Sequence, residues 1–111
     1  MTSSAATNVR IVLTTIGSET DALVLARTLV EEQLAACVNV LPAMTSLYRW
    51  KGSLEQDKEH QLVIKTSSER LPALEVRLRQ LHPYELPEFL VLDVASGGAA
   101  YLAWVHESVT P

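Results

Sequence analysis

The single cysteine and one of the three histidines are the side chains best suited to metal chemistry in this 111-residue chain. Cys37 stands between two apolar residues in a β-prone run, where it is either a soft thiolate ligand for Cu(I) or a small buried apolar side chain. His82 follows a leucine-rich helical pattern and precedes a proline. It is therefore either an imidazole ligand for copper or zinc or a histidine favourably placed at the negative end of a helix. The sequence leaves both alternatives open for each residue.

Covalent catalysis has little support in the sequence. A nucleophilic cysteine needs a base and a third group that orients the base, and no third residue is evidently placed to orient His82. The pair Gly97-Gly98 lacks the spacing of a phosphate-binding loop. His60 and His106 each stand beside a glutamate and are predicted to be solvated. We therefore predict a protein that is not an enzyme and has no catalytic residues.

The composition excludes several other classes of protein. Apolar residues make up 48% and charged residues 20%, as in ordinary globular domains, and the formal net charge is -4. No basic block occurs, so no nucleic-acid interface is predicted, and apolar runs such as residues 9–16 are too short to span a membrane. One cysteine excludes an internal disulfide and favours a reduced, cytoplasmic setting. We predict a polar tail at residues 1–8 and a single domain at residues 9–111.

The first half of that domain alternates between strand and helix patterns. Residues 9–16 are β-branched and predict a strand, and Ser18 is a helix N-cap candidate for a helix at about residues 19–35. Helical spacing predicts that this helix buries an apolar stripe of Leu23, Ala26, Val30 and Leu34. Further strands are predicted at residues 37–41, 45–50 and 60–66. Lys51-Gly52 forms a tight turn, so the last two strands predict a long, protruding hairpin with a polar tip.

The second half predicts another helix, a strand and a terminal helix. Pro72 suits the first turn of the second helix, which ends before His82 because the residue preceding a proline avoids helical geometry. Its buried stripe is predicted to contain Leu71, Leu74, Leu78 and Leu81. A strand at residues 88–95 and a helix at 101–109 complete the order βαββαβ plus one helix. This order predicts an α+β, ferredoxin-like antiparallel sheet with two helices on one face.

Five motifs in this order give the chain a family resemblance. The chain resembles the CutA family of divalent-cation tolerance proteins over residues 9–109. The motifs are Leu34-Ala35-Ala36-Cys37-Val38-Asn39, Ser46-Leu47-Tyr48-Arg49-Trp50-Lys51-Gly52, Ile64-Lys65-Thr66, His82-Pro83-Tyr84-Glu85-Leu86-Pro87-Glu88 and Tyr101-Leu102-Ala103-Trp104.

The resemblance implies a tight homotrimer whose long hairpins pair across subunits, and it implies a likeness to the PII signalling trimers. It implies a pocket near the subunit boundary and a role in binding copper or another divalent cation, with no cofactor required. The expected function is therefore a non-enzymatic binding or sensor protein. The alternative is a structural trimer that recruits a partner protein and has no metal role.

At two positions the sequence departs from the copper ligands of the family. Family members credited with copper ligation carry a first-strand cysteine and a His-His pair, and this chain has Thr14 and Leu81 at two of those three positions. His82 alone is retained. A metal site would therefore need Cys37, a carboxylate such as Glu59, or three His82 side chains brought together by symmetry.

The remaining motif residues suggest a second kind of site. Aromatic rings near a cation describe a small-anion pocket, in which Lys65 would supply the charge. The alternative is that the rings are anchors of a subunit interface. Lys65 itself is expected to reach solvent or to pair with Glu59 or Glu88. The candidate pocket residues are Trp50, Lys65, Tyr84, Glu88, Tyr101 and Trp104.

Overall fold

The computed structural model describes residues 7–111, which form an α+β fold with a five-stranded antiparallel sheet and three α-helices. A short 3-10 turn, Ser68–Arg70, precedes the second helix. None of the helices in this part of the chain is long and apolar enough to cross a membrane. The elements are β1 (Val9–Ile16), α1 (Glu19–Glu31), β2 (Cys37–Val40), β3 (Met44–Trp50), β4 (Ser53–Ser67), α2 (Leu71–Leu81), β5 (Leu90–Asp93) and α3 (Ala99–Ser108).

The polar tail predicted at residues 1–8 falls mostly outside the described residues. Its last two residues are described, and both are hydrogen-bonded to the domain. The amide and the hydroxyl of Thr7 both donate to the carbonyl of Val94, and the carbonyl of Asn8 accepts from the amide of Ser68. The hydrogen-bonded part of the chain therefore includes Thr7, two residues before the predicted domain start.

The 15-residue strand β4 organises the sheet. Its inner half pairs with β1, from His60 opposite Ile16 to Ser67 opposite Val9, and with β2 on its other edge. Its outer half pairs only with β3, from Glu59 opposite Met44 to Ser53 opposite Trp50. With β5 beside β1, the strand order is β2-β4-β1-β5. The outer half of β4 and β3 therefore form the long two-stranded hairpin that the sequence predicts.

The turn of this hairpin contains two residues with left-handed backbone conformation. Lys51 has a φ of 49° and Gly52 a φ of 84°, and the flanking residues Trp50 and Ser53 are paired. Two central residues with positive φ match the twist of the two strands, and a glycine takes this conformation without a Cβ clash. The turn therefore fixes the register of the hairpin and hence which side chains share a face.

The main core lies between one face of the sheet and helices α1 and α2. Side chains alternate along a strand, so the even-numbered residues of β1 and of inner β4 point to this core. The buried side chains from the sheet and the two helices are Val12, Ile16, Ala22, Leu25, Leu29, Leu62, Ile64, Leu74 and Leu78. The predicted leucine stripe of α2 is confirmed at Leu74 and Leu78, while Leu71 and Leu81 are half-buried.

The predicted buried stripe of α1 is confirmed at Ala26 and Leu34 and wrong at Leu23 and Val30. Leu23 is 47% exposed and Val30 is 41% exposed, whereas Leu25 and Leu29 are buried. Apolar residues occur on adjacent faces of this helix, so spacing alone could not select the face, and packing against α2 and the sheet selects it instead. The helix also ends at Glu31 rather than near residue 35.

The second face of the sheet is only partly covered. Helix α3 contacts β1 and β4 and buries Val105 and Val109. On β5, Leu90 and Leu92 pair with residues of β1 that face away from the main core. They remain 55% and 46% exposed. Residues 7–111 of a single chain therefore leave an apolar strip of the sheet uncovered.

Candidate functional site

A cleft of about 1190 Å³ opens between the hairpin and the loop that follows α2. Strand alternation and the register of the hairpin bring one face of β3 and one face of β4 to this cleft. Residues of the loop close the other side. The acidic and aromatic side chains that line it are Tyr48, Trp50, Asp57, Glu59, Tyr84, Glu85 and Glu88.

Glu59 is the most buried acid of the cleft, with an exposed fraction of 8%. The hydroxyl of Tyr84 donates to Oε2 of Glu59 at 2.7 Å. Burial of the phenol, followed by this hydrogen bond, raises the pKa of Tyr84 above its usual value. A Cβ added to Gly17 would lie 3.2 Å from the Tyr84 hydroxyl oxygen, so the glycine leaves room for this ring. Tyr84 therefore reaches the buried carboxylate as a neutral donor.

Tyr48 and Asp57 form a second phenol–carboxylate pair on the hairpin. The hydroxyl of Tyr48 donates to Oδ2 of Asp57, which lies diagonally opposite on β4. This bond is the main cause that raises the pKa of Tyr48 to about 12, with a smaller contribution from the carboxylate of Glu55. Two tyrosines thus each hold a carboxylate at the cleft.

The charge of the cleft is predominantly negative. Gln61 donates from its side-chain amide to the carbonyl of Thr14 at 2.7 Å and to Oε2 of Glu88 at 3.2 Å, which positions a further acid. Lys58, which also lines the cleft, donates to the hydroxyl of Thr45. The four lining acids Asp57, Glu59, Glu85 and Glu88 therefore outnumber the one lining lysine. A cleft of this charge attracts cations.

His82 lies behind the cleft and is 6% exposed. One ring nitrogen, Nε2, is 2.8 Å from the carbonyl oxygen of Thr15, and Nδ1 is 3.1 Å from the amide nitrogen of Tyr84. A carbonyl can only accept and an amide N–H can only donate, so the imidazole is neutral and carries its proton on Nε2. Both ring nitrogens are therefore engaged with the backbone.

The three predicted metal-binding residues are not brought together in one chain. Cys37 lies opposite Lys65 on β4 and is half-buried, and Glu59 is six residues further along that strand. At about 3.3 Å per residue, this separation is roughly 20 Å. Within residues 7–111, no three His, Cys, Asp or Glu side chains are grouped to hold a metal. A set of soft ligands for copper therefore does not assemble within the chain.

The six residues predicted to form an anion pocket separate into two groups. Trp50, Tyr84 and Glu88 line the cleft. Lys65 instead lies 5.7 Å from the ring centroid of Tyr101, which is 5.4 Å from the ring of Trp104 on α3.

The predicted pairing of Lys65 with Glu59 or Glu88 is not found, and no ion pair of Lys65 occurs among residues 7–111. The reason is geometric. Lys65 lies at the inner end of β4, and Glu59 lies at the start of the hairpin. The cleft is therefore left without this cation.

Sequence reasoning did not single out Tyr48, Asp57 and Gln61, which complete the cleft. The signal that could have found them is the period of two along the predicted hairpin. Tyr48 is two residues from Trp50, and Asp57 and Gln61 are each two residues from Glu59. Residues at this spacing share a face of the strand. The face that carries the predicted site residues therefore also carries these three.

Comparisons with known proteins give one family. The sequence model of the family described as CutA1 divalent ion tolerance protein matches residues 10–108. The divalent-cation tolerance protein CutA of Thermus thermophilus is 46% identical over 98 residues, which cover 88% of this chain and 95% of that protein. Protein CutA of Mus musculus is 49% identical over 83 residues, or 75% of this chain, but the match spans only 47% of the mouse protein.

Solved structures give the same result. The crystal structure of CutA from Xylella fastidiosa superposes with a TM-score of 0.91 at 39% sequence identity. The match covers 94% of this chain and all of that one. At this identity the likeness extends beyond the fold to the sequence of the family.

Proposed function

Because this chain belongs to the CutA1 family of divalent ion tolerance proteins, we propose that it is a non-enzymatic, homotrimeric binding protein that holds a divalent cation in the acidic cleft. In this proposal the protein is a cytoplasmic, PII-like sensor. The cation is the ion that the sensor binds, and it has no catalytic role. The strand order of the sheet supports a ferredoxin-like arrangement of each protomer.

The observation that carries the proposal is the buried carboxylate of Glu59. It is nine-tenths buried and receives one hydrogen bond from a neutral phenol, and it has no ion pair among the described residues. A buried carboxylate is costly without a counter-charge. A divalent cation near Glu59 and Asp57 would supply that charge, and carboxylate oxygens suit hard divalent ions. Because residues 7–111 group no three such ligands, two carboxylates would hold the ion and water would fill its other positions.

Copper is the metal expected from the family resemblance. For this chain we propose a divalent cation bound by oxygen ligands, and Cu²⁺ is one of the cations that such ligands can hold. The soft-ligand alternative needs the thiol of Cys37 and the imidazole of His82 at one metal. Cys37 lies on β2 opposite Lys65, whereas His82 follows α2 and contacts Thr15 near the end of β1, and both ring nitrogens of His82 are engaged. Oxygen ligation at the cleft is therefore the better-supported mode.

Isothermal titration with Mn²⁺, Zn²⁺ and Cu²⁺ tests the cation site. We expect Glu59→Gln to weaken binding at least tenfold, because it removes the buried negative charge and keeps the shape of the side chain. The matched control is Glu75→Gln, which removes an acid of α2 that pairs with Arg79 outside the cleft. This control should bind within twofold of the unmodified protein.

Two results would overturn the cation proposal. Equal affinity of Glu59→Gln and the unmodified protein would remove Glu59 from the site. An intact oligomer that binds none of the three cations would favour the structural scaffold that recruits a partner.

The homotrimer is supported by surfaces that residues 7–111 of a single chain leave uncovered. Leu90 and Leu92 form part of the uncovered sheet face, and Leu47 and Leu54 on the hairpin are 62% and 74% exposed. Both outer edges of the hairpin carry unpaired backbone groups. Proteins manage such edges by pairing them in closed assemblies.

Light scattering at micromolar concentration is expected to give a mass three times that of one chain. Leu92→Glu should lower this mass, because it places a charge on the uncovered sheet face. Val76→Glu is the matched control, since Val76 is 58% exposed on α2 and lies off the sheet. A single-chain mass for the unmodified protein, or equal effects of the two substitutions, would contradict the proposed assembly.

A further inference from the structure

We infer that His82 is a positioning residue for the cleft and not a metal ligand. Its neutral imidazole fixes the backbone of Tyr84, and the hydroxyl of Tyr84 in turn holds the carboxylate of Glu59. This inference rests on the proposed cation-binding role of the cleft. It assigns to His82 a task that the ligand pattern of the family does not contain.

The backbone contacts of His82 join two separate parts of the chain. Its Nε2–H donates to the carbonyl of Thr15, near the end of β1, at 2.8 Å. Its Nδ1 accepts from the amide of Tyr84, two residues further on, at 3.1 Å. The amide of His82 donates to the carbonyl of Leu78, and Pro83 has no amide hydrogen, so Tyr84 supplies the next backbone donor of the loop. The imidazole therefore ties the loop to β1, whose Thr15 also lines the cleft.

A metal ion at His82 would have to replace one of these two hydrogen bonds. The side chain is 6% exposed. Coordination through Nδ1 would leave the amide of Tyr84 without its acceptor, and coordination through Nε2 would leave the carbonyl of Thr15 without its donor. An unpaired buried polar group is destabilising. The contacts therefore favour a structural ring over a metal-bound one.

The ring of His82 also positions the ring of Tyr84 directly. The two ring centroids are 4.7 Å apart at an interplanar angle of 64°, an edge-to-face contact. On its far side the Tyr84 hydroxyl lies close to Gly17 and bonds to Glu59 at 2.7 Å. Tyr84 is thus held at its backbone, ring and hydroxyl. Loss of His82 removes the restraints on the backbone and the ring of Tyr84. Because the hydroxyl of Tyr84 holds Glu59, the position of Glu59 is affected as well.

Two substitutions separate positioning from ligation. In His82→Asn, the side-chain oxygen can still accept from the amide two residues on, as asparagine does in an Asx-turn. His82→Leu removes both backbone contacts at similar volume. We expect His82→Asn to bind Zn²⁺ within threefold of the unmodified protein and His82→Leu to lose at least tenfold. If His82 were a ligand, both variants would lose binding alike.

A second measurement uses unmodified protein and needs no variant to fold. Zinc prefers nitrogen ligands, so it is a stringent probe for a histidine at the metal. We expect the ring ¹⁵N signals of His82 to keep the pattern of a neutral Nε2–H imidazole when Zn²⁺ is added to saturation. A direct change of either nitrogen signal to that of a metal-bound imidazole would overturn the inference.

The positioning role also has a readout that does not depend on any cation. The ring of Tyr84 packs edge-to-face on the ring of His82, and its hydroxyl end lies close to Gly17. In protein without added metal, nuclear Overhauser contacts between the Tyr84 ring and Gly17 should be present in the unmodified protein and in His82→Asn, and lost in His82→Leu. If the unmodified protein binds no cation, the proposed function fails while these contacts still decide the role of His82. Unchanged contacts in His82→Leu would refute positioning.

Discussion

Replacing Leu29 by alanine is expected to lower the free energy of unfolding by about 2–5 kcal/mol, the range for deletion of a buried leucine side chain. Leu29 is 0% exposed and lies in the core between α1, α2 and the sheet. The close-packed surroundings cannot fill the space that the smaller side chain leaves, so a cavity adds to the lost burial. Urea unfolding at one fixed protein concentration measures the change, since an oligomer unfolds in a concentration-dependent way.

Leu23→Ala on the same helix is the matched control, because it makes the same chemical change at a position that is 47% exposed. We expect it to change the free energy of unfolding by less than about 0.5 kcal/mol. The periodicity of the sequence placed Leu23 in the buried stripe and would predict the opposite order. A larger cost at Leu23 than at Leu29 would show that the helix face described above is wrong.

The order of strands and helices could be predicted because each element carries its own local signals. The sequence predicts Ser18 as the N-cap of α1, and its hydroxyl accepts from the amide of Asp21. Pro72 does lie in the first turn of α2. These features act over three or four residues and need no tertiary information. The face that α1 buries is different, because it depends on how the helix is rotated against partners far away in sequence.

The candidate site likewise has features that the sequence could predict and features that it could not. The sequence could select His82 and Tyr84 as chemically interesting residues of one loop. It could not show that the ring of His82 meets the carbonyl of Thr15, which is 67 positions away. Whether such a ring is a metal ligand or a backbone clamp depends on that contact. The choice between the two roles therefore needs three-dimensional information.

The expected anion pocket illustrates a second limit. Lys65 and Tyr84 belong to neighbouring motifs, and the sequence offers no measure of the distance between them. In the sheet, β4 is long enough to separate its inner end from the hairpin, so Lys65 lies near α3 and the acids lie at the cleft. The cleft is therefore negatively charged because the length of β4 keeps Lys65 away from the acids.

The second large effect is expected at Thr66, whose side chain is fully buried in β4. Its hydroxyl donates to the carbonyl of Leu34 at 2.8 Å, in the segment that follows α1. Thr66→Val keeps the shape of the side chain but removes the donor, which leaves a buried carbonyl unpaired. We expect the free energy of unfolding to fall by about 1–3 kcal/mol, as measured by urea unfolding.

The same substitution at Thr14 is expected to change the free energy of unfolding in the opposite direction. It is also fully buried, on β1 opposite Leu62, but its hydroxyl has no hydrogen-bond partner among the described residues. An unpaired buried hydroxyl is unfavourable, so Thr14→Val is expected to raise the free energy of unfolding by about 1 kcal/mol. Urea unfolding of both variants under one set of conditions measures the difference in sign. If Thr14→Val destabilises the protein as much as Thr66→Val, the Thr14 hydroxyl has a partner that the chain alone does not provide, such as a bound water.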